Sequence, residues 1–289
     1  MSDQAMSAPA STGPVLLGDL ITDLERRYPP STAAQWDAVG LLAGNPGRTV
    51  SRVLLAVEVN QDVVEEAVHL GVDLLLVHHP YLLRGVHTVA ETTAKGRVLA
   101  ELIRHDIALY AAHTNADDAP GGVSAALAEL LGLREAEPLI RSTHPDSHPG
   151  SGTGRVGTLA EPTSLRVLAE RVAQALPRTA QGLRVAGDLD AEVTRVAVCG
   201  GSGDSFLPDA RRVGAEVYLT ADLRHHPATD FRAEAPLPYL IDAAHWASEW
   251  PWLPHLAEQV TQDCAARGAT VEVHVSSICT DAWDAVAGR

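Results

Sequence analysis

Residues 52–80 read RVLLAVEVNQDVVEEAVHLGVDLLLVHHP, and their patterning decides the fold class. Positions 53–57 form an unbroken apolar run of strand length, positions 62–70 carry apolar residues at helical spacing, and positions 72–77, apolar but for Asp73, read as a second buried strand. A strand buried on both faces loses the apolar–polar alternation of a half-exposed one, and a helix between two such strands is the crossover that parallel pairing requires. The unit is β-α-β, and it ends on His78, His79 and Pro80.

Outward from this unit the alternation continues. A helix over 94–104 leads into a strand at 107–112, and a further helix follows over 122–131. On the N-terminal side, 15–28 reads as an amphipathic helix stopped by Pro29 and Pro30. Residues 138–155 (PLIRSTHPDSHPGSGTGR) are rich in Pro, Ser, Gly and His without an apolar period. They read as a linker or surface loop in which His144 and His148 are solvated. Beyond it come a helix at 167–176, a strand at 193–198, a helix at 208–213, strands at 217–220 and 239–243, a helix at 253–267 and a closing strand at 271–275. The expected organisation is a loose tail over 1–14, a first α/β lobe over 15–137, the loop, and a second α/β lobe over 156–289, the lobes either separate or packed as one compact unit. Both lobes should carry largely parallel sheets flanked by helices.

A chain of 289 residues suffices for one large or two ordinary α/β domains. Its formal charge of −15 argues against a nucleic-acid backbone or an anionic membrane as the main partner. Cys199, Cys264 and Cys279 form no C-x-x-C pair, which fits a reducing cytoplasm and excludes a thiolate-rich zinc site. The N-terminal stretch lacks the basic and apolar regions of a signal peptide, and no apolar run reaches the roughly 18 residues of a membrane helix. A cytoplasmic protein is expected.

The two halves repeat each other. Arg52-Val53 and Gly71-Val72 open successive strands in the first, Arg195-Val196 and Gly214-Ala215 in the second, with elements of equal length between. Ala111-Ala112-His113-x-x-x-Asp117 is matched by Ala243-Ala244-His245-x-x-x-Glu249, each at the end of an apolar strand. Duplicated lobes of this kind present the same strand end to a shared cleft. Where the chain turns helical after the strand, a histidine and a carboxylate four apart share one face. Imidazole with carboxylate suits zinc, iron, manganese or cobalt rather than calcium, and a carboxylate can bridge two ions. His78 and His79, neighbours in extended backbone, point to opposite sides and could serve two ions; the alternative is a pair that caps its strand by bonding backbone groups. With His113, Asp117, His245 and Glu249 at analogous strand ends, the metal reading prevails.

These segments carry a family likeness. The chain resembles the NGG-interacting-factor-three-like family, type 2 homologues of GTP cyclohydrolase I, in residues 36–42 (WDAVGLL), 73–80 (DLLLVHHP), 113–122 (HTNADDAPGG), 200–203 (GGSG), 218–226 (YLTADLRHH) and 245–249 (HWASE). The resemblance implies two related α/β lobes, a dinuclear metal centre in the cleft between them and a toroidal homohexamer. Residue by residue, it implies that His79 and Asp117 hold one ion, His78 and His245 the other, and that Glu249 bridges. His113 would be a further ligand or an orienting neighbour. Ala38 stands where the family has Asn, Ala221 where it has Gly and Glu58 where it has Asp. The large middle domain inserted in some members is replaced by the 138–155 loop.

Two such divalent ions would lower the pKa of a bound water and polarise a carbonyl, imine or phosphate oxygen. The expected function is a metal-dependent hydrolase acting on a nucleotide-like or phosphorylated small molecule; a non-enzymatic metal-carrying or metal-sensing ring is the alternative. Gly200, Gly201, Ser202 and Gly203, between a strand and a helix, are either a phosphate-binding turn or simply a tight one. His113 and His226 are candidates for supporting the water at the metals. Trp36-Asp37 and the group Trp246, Trp250 and Trp252 read as packing or subunit-contact residues.

Overall fold

A computed structural model describes residues 13–288. The tail expected over 1–14 lies outside them except for Gly13, which bridges to Ala269, and Pro14. The run at 53–57 becomes the strand Arg52–Ala56, and its alternate residues enter different cores: Val53, Leu55 and Val57 one, Leu54 and Ala56 another. Leu74–Val77 divides in the same way, Leu74 and Leu76 from Leu75 and Val77. Covering on both faces is why these runs show no polar alternation. The helix Gln61–Leu70 connects them. The Asn60 side chain caps its start by accepting the Val63 amide at 2.9 Å, and Gly71 ends it in left-handed backbone (φ 62°). Ala108–Ala111 extends the parallel pairing to a third strand.

Two further strands complete this five-stranded sheet. Gly40–Ala43 pairs antiparallel at one edge, and Glu272–Val275 pairs parallel with Arg52–Ala56 at the other. The closing strand, expected inside a second lobe of 156–289, therefore belongs to the first sheet. The helix Trp252–Ala266 brings it there, its Trp252, Leu256, Val260 and Cys264 sharing a core with Leu17, Leu20 and Leu24 of the helix Leu17–Arg27. That spacing defines one buried helical face, and nothing in it specifies which lobe it covers.

Ion pairs secure the return. Arg27 meets Asp263 at 2.6 Å, and the Arg267 guanidinium forks onto Asp23, which is 2% exposed and also binds Arg26. Arg267 foremost, with Arg26, holds the Asp23 carboxyl below its ordinary range against the opposing effect of burial. Asp23→Asn is expected to lower the unfolding free energy by about 1–3 kcal/mol near neutral pH. A carboxyl whose folded pKa is depressed contributes stability above its unfolded pKa and loses it as pH falls through the folded value. The gap between variant and wild type in urea titrations should therefore narrow as pH falls below the ordinary carboxylate range.

The second sheet runs Arg184–Ala186, Tyr239–Ala243, Val217–Ala221, Glu192–Ser202, Arg155–Ser164, Arg134–Glu137. Only Glu192–Ser202, Val217–Ala221 and Tyr239–Ala243 are mutually parallel; the outer strands pair antiparallel. This sheet is mixed rather than largely parallel, because the chain on either side of the 138–155 segment adds two polar strands to it. Within that segment Ile140–Arg141 pairs with Gly152–Thr153; His148 Nε2 reaches across the fold to lie 2.8 Å from the Arg26 carbonyl, and His144 Nδ1 accepts the nearby Asp146 amide at 3.3 Å. Leu165–Ala175 covers one face of the sheet; Leu207–Arg212 and His225–Glu234 cover the other. Val123–Leu130 is the seam between lobes, with Val123 and Ala126 in the first core and Leu127 and Ala128 in that of the second sheet.

The architecture is thus α/β, with parallel sheet portions flanked by helices. Among the described residues no helix is long and apolar enough to cross a membrane. Trp246 and Trp252 are buried in the first core and Trp250 packs against it, so these rings lend no support to a subunit interface. The exposed indoles are Trp36, at 62%, and Trp283, at 66%.

Candidate metal centre

Every candidate ligand follows a parallel strand: His78 and His79 follow Leu74–Val77, His113 and Asp117 follow Ala108–Ala111, and His245 and Glu249 follow Tyr239–Ala243. At the histidine pair the strand has ended and the chain bends, the His78 and His79 amides donating to the Ala56 and Val57 carbonyls at 3.2 and 2.8 Å. After the other two strands the chain turns helical, at Thr114–Asp117 and His245–Glu249. Each histidine and the acid four residues later are thereby set on one side.

Each imidazole is held by one nitrogen and directs the other inward. Buried His78 has Nδ1 2.9 Å from the Ala112 carbonyl, which makes that nitrogen the N–H donor and leaves Nε2 as the lone pair. His79 has Nδ1 3.3 Å from Glu58 Oε1 and Nε2 3.1 Å from Glu249 Oε2. His245 has Nδ1 2.7 Å from Asp222 Oδ2 and Nε2 2.9 Å from Glu249 Oε1. His113 Nδ1 lies 2.9 Å from Asp37 Oδ1. Partners of this kind fix ring orientation and tautomer.

Among the buried polar atoms with no hydrogen-bond partner are His78 Nε2, Asp117 Oδ1 and Glu249 Oε2. His78 Nε2 stands 3.5 Å from Asp117 Oδ1 and 3.5 Å from Glu249 Oε1. An orphaned buried polar group costs about 1–3 kcal/mol, and several converging in one place are what a cation would satisfy. Ligand atoms of His79, His245 and Glu249 lie within 4.8 Å of one another, as do those of His78, His79 and His113. These distances place His78 beside Asp117 and His79 beside His245, whereas the resemblance implied that His79 and Asp117 hold one ion and His78 and His245 the other. The chain bends at the pair instead of staying extended, so the two rings do not point to opposite sides but stand 4.9 Å apart, His78 turned toward the Ala112 carbonyl and His79 toward His245.

The charges are consistent with a cation site. Burial opposes ionisation of Glu249, yet the imidazoles of His79, His245 and His78 hold it well below the carboxylate range. Burial likewise opposes charge on His79 and His245, but Glu249, helped by Glu58 and Asp222, pushes them up to about 10 and about 11. Burial and the neighbouring Glu249 charge push Asp117 up to about 8. Two carboxyls in one dry site are driven apart, and a bound cation is what would let both ionise.

Three acids orient the imidazoles; Asp37 and Asp222 were not singled out for that role, and Glu58 was noted only as standing where the family has Asp. Asp37, read as packing, binds His113, the Thr114 hydroxyl and the amides of Thr114 and Ala38, and despite burial is held well below the carboxylate range by His113 and Thr114. Glu58 and Asp222 lie within two residues of the ends of Arg52–Ala56 and Val217–Ala221. An acid just past a parallel strand was the available signal. His226 is exposed in the first turn of its helix, in ring contact with His225, and belongs to neither group of clustered ligand atoms.

The glycine stretch closes Glu192–Ser202 against the site. The Gly200 amide donates to Ser124 Oγ at 3.3 Å, Gly201 to Ser248 Oγ at 2.8 Å and Gly203 to the Ala221 carbonyl at 3.4 Å, so these amides are already engaged. A Cβ on Gly201 would stand 2.3 Å from Glu249 Oε1 and 3.1 Å from His245 Nε2. Gly201→Ala is therefore expected to weaken metal binding by roughly tenfold or more, as displacement of a ligand does. Gly201 and Gly214 both have φ 69°, but Gly214 has nothing within 4 Å of its would-be Cβ. Competition against a chromophoric chelator should show Gly214→Ala binding metal as wild type does, which separates crowding of Glu249 from backbone strain.

Beside the cluster lies a cleft of about 580 Å³, lined by Trp36, His113, Asp117, Ser202, Phe206, His245 and Glu249 among others.

Residues 15–282 match the family model described as Duf34/NIF3 (NGG1p interacting factor 3). A Streptomyces coelicolor protein named GTP cyclohydrolase 1 type 2 homolog is 51% identical over 269 residues, covering 93% of this chain and 94% of that one. A Mycobacterium tuberculosis protein of the same name is 37% identical, with 93% and 97% covered; its alignment spans 373 residues against the 289 here, so that relative carries additional sequence. Among solved structures, a Bacillus cereus protein related to NIF3 superposes with a TM-score of 0.84 at 27% identity, covering 95% of this chain and 100% of that one. A Staphylococcus aureus hypothetical protein does so with 0.85 at 28%, covering 94% and 100%. With a family model matched along nearly the whole chain and a half-identical relative aligned almost end to end, this chain belongs to the DUF34/NIF3 family.

Proposed function

We propose that the chain holds two divalent transition-metal ions, drawn from zinc, iron, manganese or cobalt, and hydrolyses a nucleotide-like or phosphorylated small molecule. The observation that carries this is the convergence of the unpartnered buried atoms His78 Nε2, Asp117 Oδ1 and Glu249 Oε2. His78 and Asp117 would hold one ion, His79 and His245 the other, and Glu249 both, with His113 beside them. Bound there, the ions would supply Lewis acidity toward a carbonyl, imine or phosphate oxygen.

The chain's own part is to orient and to recognise. The Ala112 carbonyl, Glu58, Asp222 and Asp37 keep the four imidazoles aimed inward. In the cleft, Trp36 and Phe206 present aromatic surface, Thr32, Thr153, Ser202 and Ser205 present hydroxyls, and no lining side chain among the described residues is Lys or Arg. The part of a substrate that enters is thus recognised by stacking and neutral hydrogen bonds, as a heterocyclic ring would be. The name shared by the relatives supports a nucleotide-like substrate.

A screen of metal-replete protein against nucleoside triphosphates and phosphoesters tests this. Sustained turnover that disappears in Glu249→Gln supports the hydrolase; full metal loading without turnover on any of them favours a metal-carrying or metal-sensing role. A symmetric homohexamer acting in the cytoplasm is proposed from the family alone, and a monomeric mass by sedimentation at micromolar concentration would refute it.

A further inference from the structure

The groove between the helix His225–Glu234 and the edge strand Arg184–Ala186 is a second concave site, about 540 Å³ in volume. Its walls carry Arg184, Arg224, His225 and Arg232 against one acid, Asp242. That balance runs against a formal charge of −15 for the chain and against a metal cleft whose described lining has no Lys or Arg.

The cations are held in place. Asp242, 4% exposed, takes Arg184 through Nε at 2.7 Å and through Nη2, and accepts the Leu223 amide at 2.9 Å. Asp204, 7% exposed, takes Arg224 through Nε at 2.7 Å and through Nη2. Both guanidinium groups keep Nη1 without a partner among the described residues. Arg224, Ala228 and Arg232 follow at helical spacing along one face, and Arg232 forms no hydrogen bond or ion pair among the described residues. Arg224 is the N-cap of this helix and no side chain caps its first amides, so the positive end of its dipole adds to the same field.

We propose that this groove binds the phosphate groups of a small anion, a di- or triphosphate. Buried carboxylates anchor two guanidinium groups through Nε and Nη2, which leaves each Nη1 to donate to a phosphate oxygen, and the third cation, Arg232, is uncompensated. The acidic remainder of the surface works against a polyanionic macromolecule. Position ties the groove to the metal cleft. Asp204, which anchors Arg224, is followed by Ser205 and Phe206 of the cleft wall, and Asp222, two residues before Arg224, holds His245. The groove then takes the phosphate end of a substrate whose ring enters the cleft. That last assignment rests on the hydrolase reading; the anion site itself does not.

The test is calorimetric titration of the as-purified full-length protein with inorganic triphosphate, with metal content measured in every sample. Binding should weaken as salt rises and should fall roughly tenfold or more in Arg232→Glu. Arg171→Glu, at an exposed position of the helix Leu165–Ala175, makes the same change in net charge away from the groove and should bind as wild type does. No binding to wild type, or equal affinity in Arg232→Glu and Arg171→Glu, overturns the proposal. Tighter binding of poly-glutamate than of triphosphate also overturns it, in favour of an acidic protein partner. Turnover is scored separately, so a failed hydrolase reading leaves the anion result standing.

Discussion

Glu249→Gln is expected to lose both metal ions together. The Glu249 carboxylate is buried, with Oε1 2.9 Å from His245 Nε2 and 3.5 Å from His78 Nε2, and Oε2 3.1 Å from His79 Nε2. Its two oxygens therefore address imidazoles from both lobes. Glutamine keeps the shape but removes the charge and turns an NH₂ toward nitrogen lone pairs, leaving the repulsion between two cations uncompensated. Metal content by elemental analysis should fall from about two ions per chain to well under one. Asp117 is placed differently, with Oδ1 3.5 Å from His78 Nε2. Asp117→Asn should mainly empty the position that His78 shares. Site occupancies in crystals of each variant decide the matter: Glu249→Gln keeping both ions while Asp117→Asn loses both would make Asp117 the bridge.

Trp252→Ala should be the most damaging change to the fold. The indole is fully buried, 5.7 Å from the Tyr28 ring and 5.4 Å from the His78 ring, both edge-on. Its Nε1 donates to Tyr28 Oη at 3.2 Å, and that hydroxyl donates to Gln259 Oε1 at 2.5 Å. Removing it opens a cavity under His78 and breaks the chain of bonds that ties the C-terminal helix to the first lobe. The expected loss is about 3–5 kcal/mol by urea denaturation. Trp252→Phe, which keeps most of the volume and loses the N–H, should cost about 1–2 kcal/mol. A midpoint for Trp252→Ala indistinguishable from wild type would mean that the helix is not held on the first lobe.

The elements that were legible share a physical property: their signals are local. The runs at 53–57 and 72–77, and the helix between them with Asn60 and Gly71 at its ends, are specified by residues that touch one another along the chain. Arg134–Glu137 and Arg155–Ser164 left no such mark, because outer strands built of REAE and RVGTLAEPTS need no continuous apolar run. The five candidate ligands were legible because few side chains bind transition metals and each of the five sits next to, or one helical turn from, another candidate or a histidine of the cluster. Asp37, Glu58 and Asp222 were hard to see because each meets its histidine only across the fold.

By itself the sequence determined an α/β chain with a duplicated pattern, the candidate ligands His78, His79, Asp117, His245 and Glu249, and a family likeness. Tertiary structure decided that Glu272–Val275 closes the first sheet rather than the second. It also set His78 beside Asp117 rather than His245, and gave Gly201 the task of leaving room for Glu249. The reason is common to all three. Apolar periodicity states that a face is covered and residue type states what an atom can bind, but neither states from where the partner comes. That depends on which surfaces remain open once both sheets have formed, and only the folded chain brings those surfaces together.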